Sequence, residues 1–82
     1  MSRELNYIKL TNILSNLLDV SREEINDDMS PENTNSWDSY NGLMMVSELE
    51  EKFDVSFTME EVVSVRNVKD IKFYLRKHGI EI

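Results

Sequence analysis

The fold is decided by the stretch WDSYNGLMMVSELEEKF, residues 37–53. Asp38 is a residue type that caps helix N-termini, because its carboxylate can accept a hydrogen bond from a backbone N–H that the first turn leaves unpaired. Apolar residues then recur at three- and four-residue spacing: Leu43, Val46, Leu49 and Phe53. This spacing predicts a helix over Ser39–Phe53 with one apolar face.

An amphipathic helix and a long loop precede this stretch. Residues 4–18 carry apolar side chains at helical spacing: Leu5, Ile8, Leu10, Ile13, Leu14, Leu17 and Leu18. They predict a first helix. Residues 19–37 contain the only proline and many Ser, Asn and Asp, which favour loops. A capping box between Ser21 and Glu24, with Val20 and Ile25 as its hydrophobic staple, predicts one helical turn that pins the loop to the core.

Two further helices follow. Thr58 and Glu61 form a second capping box, with Phe57 and Val62 as its staple, and open a short helix that ends near Val65. Asn67 caps the last helix, Gly79 stands where it should end, and its inward positions are Val68, Ile71, Tyr74 and Leu75. The only extended connector is predicted at residues 54–57. We therefore predict one all-α domain over residues 1–82, a small four-helix bundle of three main helices and a short third helix.

Charge and composition exclude several classes of function. Nine basic against sixteen acidic residues give a net charge of −7, which disfavours nucleic acid and anionic membranes as partners. The chain has no apolar run of the roughly 20 residues needed to span a bilayer, and its first residues lack the features of a signal peptide. It contains no cysteine, which removes thiolate and zinc-thiolate chemistry. We expect a cytoplasmic monomer.

The charge is concentrated in the middle of the chain. Residues 19–61 hold thirteen acidic and two basic residues, a net of −11, whereas the remainder holds seven basic and three acidic residues, a net of +4. The sequence therefore predicts a negative central surface and a mildly basic C-terminal helix.

No residue pattern indicates an enzyme or a metal site. His78 is the only histidine, and at a basic helix C-terminus we expect it to interact with the terminal carbonyls rather than act in catalysis. The acidic loop lacks the ligand spacing of an EF-hand, and two glycines cannot form a phosphate loop. Ser39 remains: at the start of a helix its hydroxyl should be exposed where an attached phosphate is stabilised, although the Asp-Ser pair is also a common capping arrangement.

The sequence resembles the acyl carrier protein family. The resemblance rests on Trp37-Asp38-Ser39-Tyr40, on the long acidic loop before it and on the helix after it, and it extends over nearly the whole chain. It implies that a phosphopantetheinyl transferase attaches 4′-phosphopantetheine from coenzyme A to Ser39, beside Asp38 and Tyr40. The thiol of that arm would carry an acyl group as a thioester, and the protein itself would not be an enzyme.

The resemblance also implies a docking surface for partner enzymes. Acyl-loading and acyl-transferring enzymes with basic patches would meet Tyr40, Met44, Glu48 and Glu51. A solvated helix face is the alternative explanation of the acidic residues. Tyr40 stands where the family usually has Leu, and uncharged residues fill the first turns of this helix. These departures favour a specialised lipid, polyketide or polysaccharide-modification pathway. An aminoacyl or peptidyl carrier and a non-carrier acidic adaptor are the alternatives.

Overall fold

Four α-helices and one short 3₁₀ turn make up the computed structural model, which describes residues 2–82. The helices are α1 (Ser2–Leu18), α2 (Ser39–Phe53), α3 (Met59–Ser64) and α4 (Val68–Lys77), and the 3₁₀ turn spans Arg22–Glu24. Within residues 2–82 there is no strand, which confirms the predicted all-α, four-helix class. Met1, with which the predicted domain begins, lies outside the described residues.

The predicted caps form at the predicted residues. The Asp38 carboxylate accepts from the Asn41 N–H at 2.9 Å, and the Asn67 side chain accepts from the Asp70 N–H at 2.8 Å. Gly79 ends α4 with a φ of 90°, a conformation that L-residues rarely adopt. These bonds join residues at most four positions apart, which is why the sequence alone predicts them.

The core lies between α1, α2 and α4, and the long loop contributes to it. Its buried apolar residues are Leu10, Ile13, Leu14 and Leu18 from α1; Ile25, Met29 and Trp37 from the loop; Met45, Leu49 and Phe53 from α2; and Val68, Ile71, Leu75 and Ile82 from the C-terminal part. Backbone bonds from the Val68 N–H to the Met29 carbonyl and from the Lys69 N–H to the Asp27 carbonyl hold the loop against the start of α4. A loop of this length is therefore ordered by side chains and backbone together.

Three apolar positions predicted to face the core lie on the surface instead. Leu5 and Ile8, in the first turns of α1, are 64% and 41% exposed. Leu43 of α2 is 67% exposed, and Met45 is buried in its place. Met45 is four residues before Leu49 and so shares its face, whereas Leu43 stands at the margin of the apolar stripe.

Candidate functional site

Ser39 is the first residue of α2, and its side chain is exposed. The preceding residue, Asp38, has extended backbone (φ −105°, ψ −174°), so the chain turns into the helix between these two residues. The Asp38 carbonyl accepts from the Gly42 N–H at 2.8 Å, which closes the first helical turn. Ser39 therefore presents its hydroxyl at the N-terminal end of a capped helix, where the backbone dipoles favour negative charge.

Hydrogen bonds fix this helix start to the end of α1. The Asn41 amide donates to the Ser36 carbonyl at 2.7 Å, and the Ser36 hydroxyl donates to the Leu18 carbonyl at 2.7 Å. Trp37 is buried, and its ring nitrogen lies near Gly42 of α2. The position of Ser39 is thus set by α1 and the loop as well as by α2.

A cavity of about 450 Å³ opens beside Ser39. Its volume lies within the roughly 300–1,000 Å³ typical of small-molecule sites. Its lining comes from α2, α3, α4 and the connecting segments, namely Trp37, Ser39, Gly42, Leu43, Met45, Val46, Leu49, Phe57, Glu61, Val62, Val63, Val65, Ile71 and Tyr74. Because nearly all of these side chains are apolar, the cavity suits an apolar chain that reaches it from the direction of Ser39.

Glu61 is the charged residue of this lining, and several donors surround it. Its carboxylate accepts from the Thr58 N–H at 2.9 Å, contacts the His78 ring nitrogen at 2.9 Å and lies 3.4 Å from the Lys77 ammonium. The Thr58 N–H, and after it His78, lower the pKa of Glu61 to about 2, although burial acts in the opposite direction. The sequence predicted that His78 contacts the terminal carbonyls of α4. This prediction is wrong, because the His78 ring contacts the carboxylate of Glu61 in α3 instead.

The predicted docking residues lie on one side of α2 with unequal exposure. Tyr40 is 70% exposed and Glu51 is exposed, while Met44 and Glu48 are half-buried at the edge of that face. Glu48 lines a second cavity of about 240 Å³ between α1 and α2, together with Lys9 and Lys52. Of the four predicted docking residues, Tyr40 and Glu51 are therefore the more exposed.

The exposure of three apolar residues in α2 and α3 was not predicted from the sequence. They are Leu43 of α2, and Met59 and Val63 of α3. The short helix α3 offers too few residues for a periodic signal, so its exposed side was not predictable from spacing.

Within residues 2–82, no helix is both long and apolar enough to cross a membrane. No group of three acidic or histidine side chains in the same range is arranged to hold a metal ion. The cytoplasmic location and the monomeric state stay predictions.

The chain is similar over most of its length to a known protein. No protein-family model matches the chain. The chain is 37% identical over 71 residues to a protein of Syntrophobacter fumaroxidans (strain DSM 10017 / MPOB) that is named acyl carrier protein. The alignment covers 87% of this chain and 88% of that relative, so the similarity extends over nearly the whole length of both.

Proposed function

The chain belongs to the acyl carrier protein family, and from this premise we propose that Ser39 carries a covalently attached 4′-phosphopantetheine arm. Members of this family are carriers and not enzymes. The observation that carries the proposal is that an exposed serine at a capped helix start also borders a large apolar cavity.

The attachment chemistry suits the surroundings of Ser39. With a phosphopantetheinyl transferase, the Ser39 hydroxyl would displace adenosine 3′,5′-bisphosphate from coenzyme A and lose its proton, which leaves a phosphodiester on the side chain. This anion would lie next to the unpaired N–H groups of the first turn of α2, which stabilise negative charge. The arm supplies a thiol that can hold an acyl group as a thioester, in a chain that has no cysteine of its own.

The apolar cavity supports a second part of the proposal, in which an acyl chain on the arm folds back between α2, α3 and α4. Removing the chain from water stabilises it by roughly 0.8 kcal/mol per buried CH₂ group. Ser39 and Leu43 both line the cavity and are both exposed, so we propose that the chain enters beside the arm.

We propose that partner enzymes dock on the exposed face of α2 beside Ser39. Tyr40 and Leu43 present apolar surface, and Glu51 presents negative charge to a basic patch of the partner. Such contacts speed the encounter and leave the complex weak enough to separate. Tyr40 in place of the usual Leu supports a specialised lipid, polyketide or polysaccharide-modification pathway.

The attachment site is tested by incubating the protein with coenzyme A and a broad-specificity phosphopantetheinyl transferase, and then measuring the intact mass. We expect a gain of one phosphopantetheine group in the wild type and in Ser47→Ala, because Ser47 is an exposed serine of the same helix. The gain should be absent in Ser39→Ala. A gain that persists in Ser39→Ala, or no gain where a control carrier is loaded, would refute the proposal.

A further inference from the structure

The short helix α3 forms one wall of the cavity, yet apolar packing does little to hold it. Val62 is half-buried, Met59 and Val63 are exposed, and the only buried residue of α3 is the charged Glu61. The other three helices each bury at least three apolar residues. Phe57 and Val65, on either side of α3, pack against the core, so the attachment of the helix itself depends on its polar contacts.

Those contacts are made at two places. At the connector before α3, the Glu50 carboxylate accepts from the Phe57 N–H at 2.8 Å, which ties the connector to α2. Within α3, Glu61 contacts the His78 ring at 2.9 Å and the Lys77 ammonium at 3.4 Å, both at the end of α4. Phe57 packs edge-on against the His78 ring, with 5.2 Å between the ring centroids.

We propose that Glu61 is a positioning residue that latches α3 to the end of α4 and so controls access of the acyl chain to the cavity. This inference rests on the proposed function, because the chain is delivered by the arm on Ser39. Release of the latch would separate α3 from α4 along the wall formed by Val62 and Val63, while the connector stays tied to α2 through Phe57.

The geometry makes this latch reversible. With the latch closed, the side chain of Glu61 is only 8% exposed, whereas the side chains of His78 and Lys77 are 27% and 60% exposed. On opening, water can replace the partners of all three groups, so the net cost is that of a charge-assisted hydrogen bond near the surface rather than of an apolar core. The free energy needed for a local opening of this kind is well below the free energy of global unfolding.

The test uses Glu61→Gln, which keeps a side chain that can complete the capping box with Thr58 but removes the charge. Glu60→Gln is the matched control, because Glu60 is the exposed neighbour on the same helix. Two measurements are made on the protein without the arm: amide hydrogen exchange at residues 62–64, and binding of the apolar fluorophore N-phenyl-1-naphthylamine.

We expect Glu61→Gln to exchange these amides about tenfold faster, since a hydrogen bond to a charged group is replaced by a neutral one. The fluorophore should bind faster, and both quantities should stay at the wild-type value in Glu60→Gln. Equal behaviour of the two variants would overturn the proposal. So would faster exchange throughout α1 and α4, because that result indicates global destabilisation.

A second variant tests the partner. His78→Gln should accelerate the same amides, and the effects of the two substitutions should be less than additive in the double variant, because both remove the contact between Glu61 and His78. Additive effects would contradict the latch. Since neither measurement needs the arm, a failure of phosphopantetheine attachment at Ser39 is distinguishable from a failure of the latch.

Discussion

At the scale of single residues, the two glycines have opposite structural roles. Gly42 lies inside α2, where an added Cβ would be 3.7 Å from the Trp37 ring nitrogen, an ordinary van der Waals contact. Gly79 has a φ of 90° at the end of α4, where an added Cβ would have open space but a strained backbone. The same substitution should therefore act in opposite directions at these two positions.

We expect Gly42→Ala to stabilise the fold by about 0.5–1 kcal/mol, because alanine loses less backbone entropy in a helix. For a domain of this size the melting temperature should rise by roughly 2–8 °C. Gly79→Ala should lower it, since alanine is strained at that φ. Thermal unfolding followed by circular dichroism measures both variants, and a lower melting temperature for Gly42→Ala would contradict the packing described around Trp37.

At the scale of the helices, contacts between residues close in sequence were predictable, whereas contacts between residues far apart in sequence were not. Caps at Asp38, Thr58 and Asn67 were predictable because each bond joins residues three positions apart. The pairing of Glu61 with His78 spans 17 residues, and no spacing rule connects them. The exposure of Leu5 and Leu43 likewise depends on which turns of a helix meet a neighbour, which periodicity does not specify.

The parts of the candidate site also differ in whether the sequence predicted them. Ser39 and its cap were predictable from the residues around them. The cavity beside Ser39 was not, because its lining joins residues from 37 to 74 whose approach depends on how α3 and α4 pack.

Helix α3 should also respond to acid through Glu61. The native contacts lower the pKa of this carboxyl group to about 2 from an ordinary value of 4.5. A lowered pKa in the folded state stabilises that state above pH 4.5, and this contribution is lost as the pH falls from about 5 towards 2. We expect the amide chemical shifts of residues 62–64 in the folded wild type to move as the pH approaches 2, where the carboxyl group of Glu61 takes up its proton.

Glu61→Gln removes the titrating group, so the corresponding shifts should be small, whereas Glu60→Gln should titrate as the wild type does. An unchanged titration of α3 in Glu61→Gln would show that another carboxylate governs the helix.

At the scale of the whole molecule, the uneven charge opposes the fold. Residues 19–61 carry a net −11 within a molecule whose radius of gyration is 11.6 Å, so many like charges lie about a Debye length apart or closer at 0.1 M salt. Attractive pairs offset little of this. Lys72 and Asp27 are 2.6 Å apart, and Lys52 and Glu51 are 3.9 Å apart with both side chains exposed. The exposed pair of Lys52 and Glu51 contributes about 0–1 kcal/mol, and in the closer pair the Lys72 side chain is only 17% exposed.

Repulsion should therefore outweigh attraction, and screening should stabilise the protein. We expect the melting temperature to rise by several degrees as sodium chloride increases from about 10 mM to 500 mM, where the Debye length falls several-fold. The double variant Glu23→Gln, Asp28→Asn neutralises two exposed loop acids and should melt higher at low salt, with a smaller response to added salt. Magnesium chloride at equal ionic strength distinguishes screening from divalent binding to the loop. A melting temperature that stays constant or falls as salt is added would contradict this prediction, because it would mean that repulsion among the acidic residues does not lower the stability of the folded state.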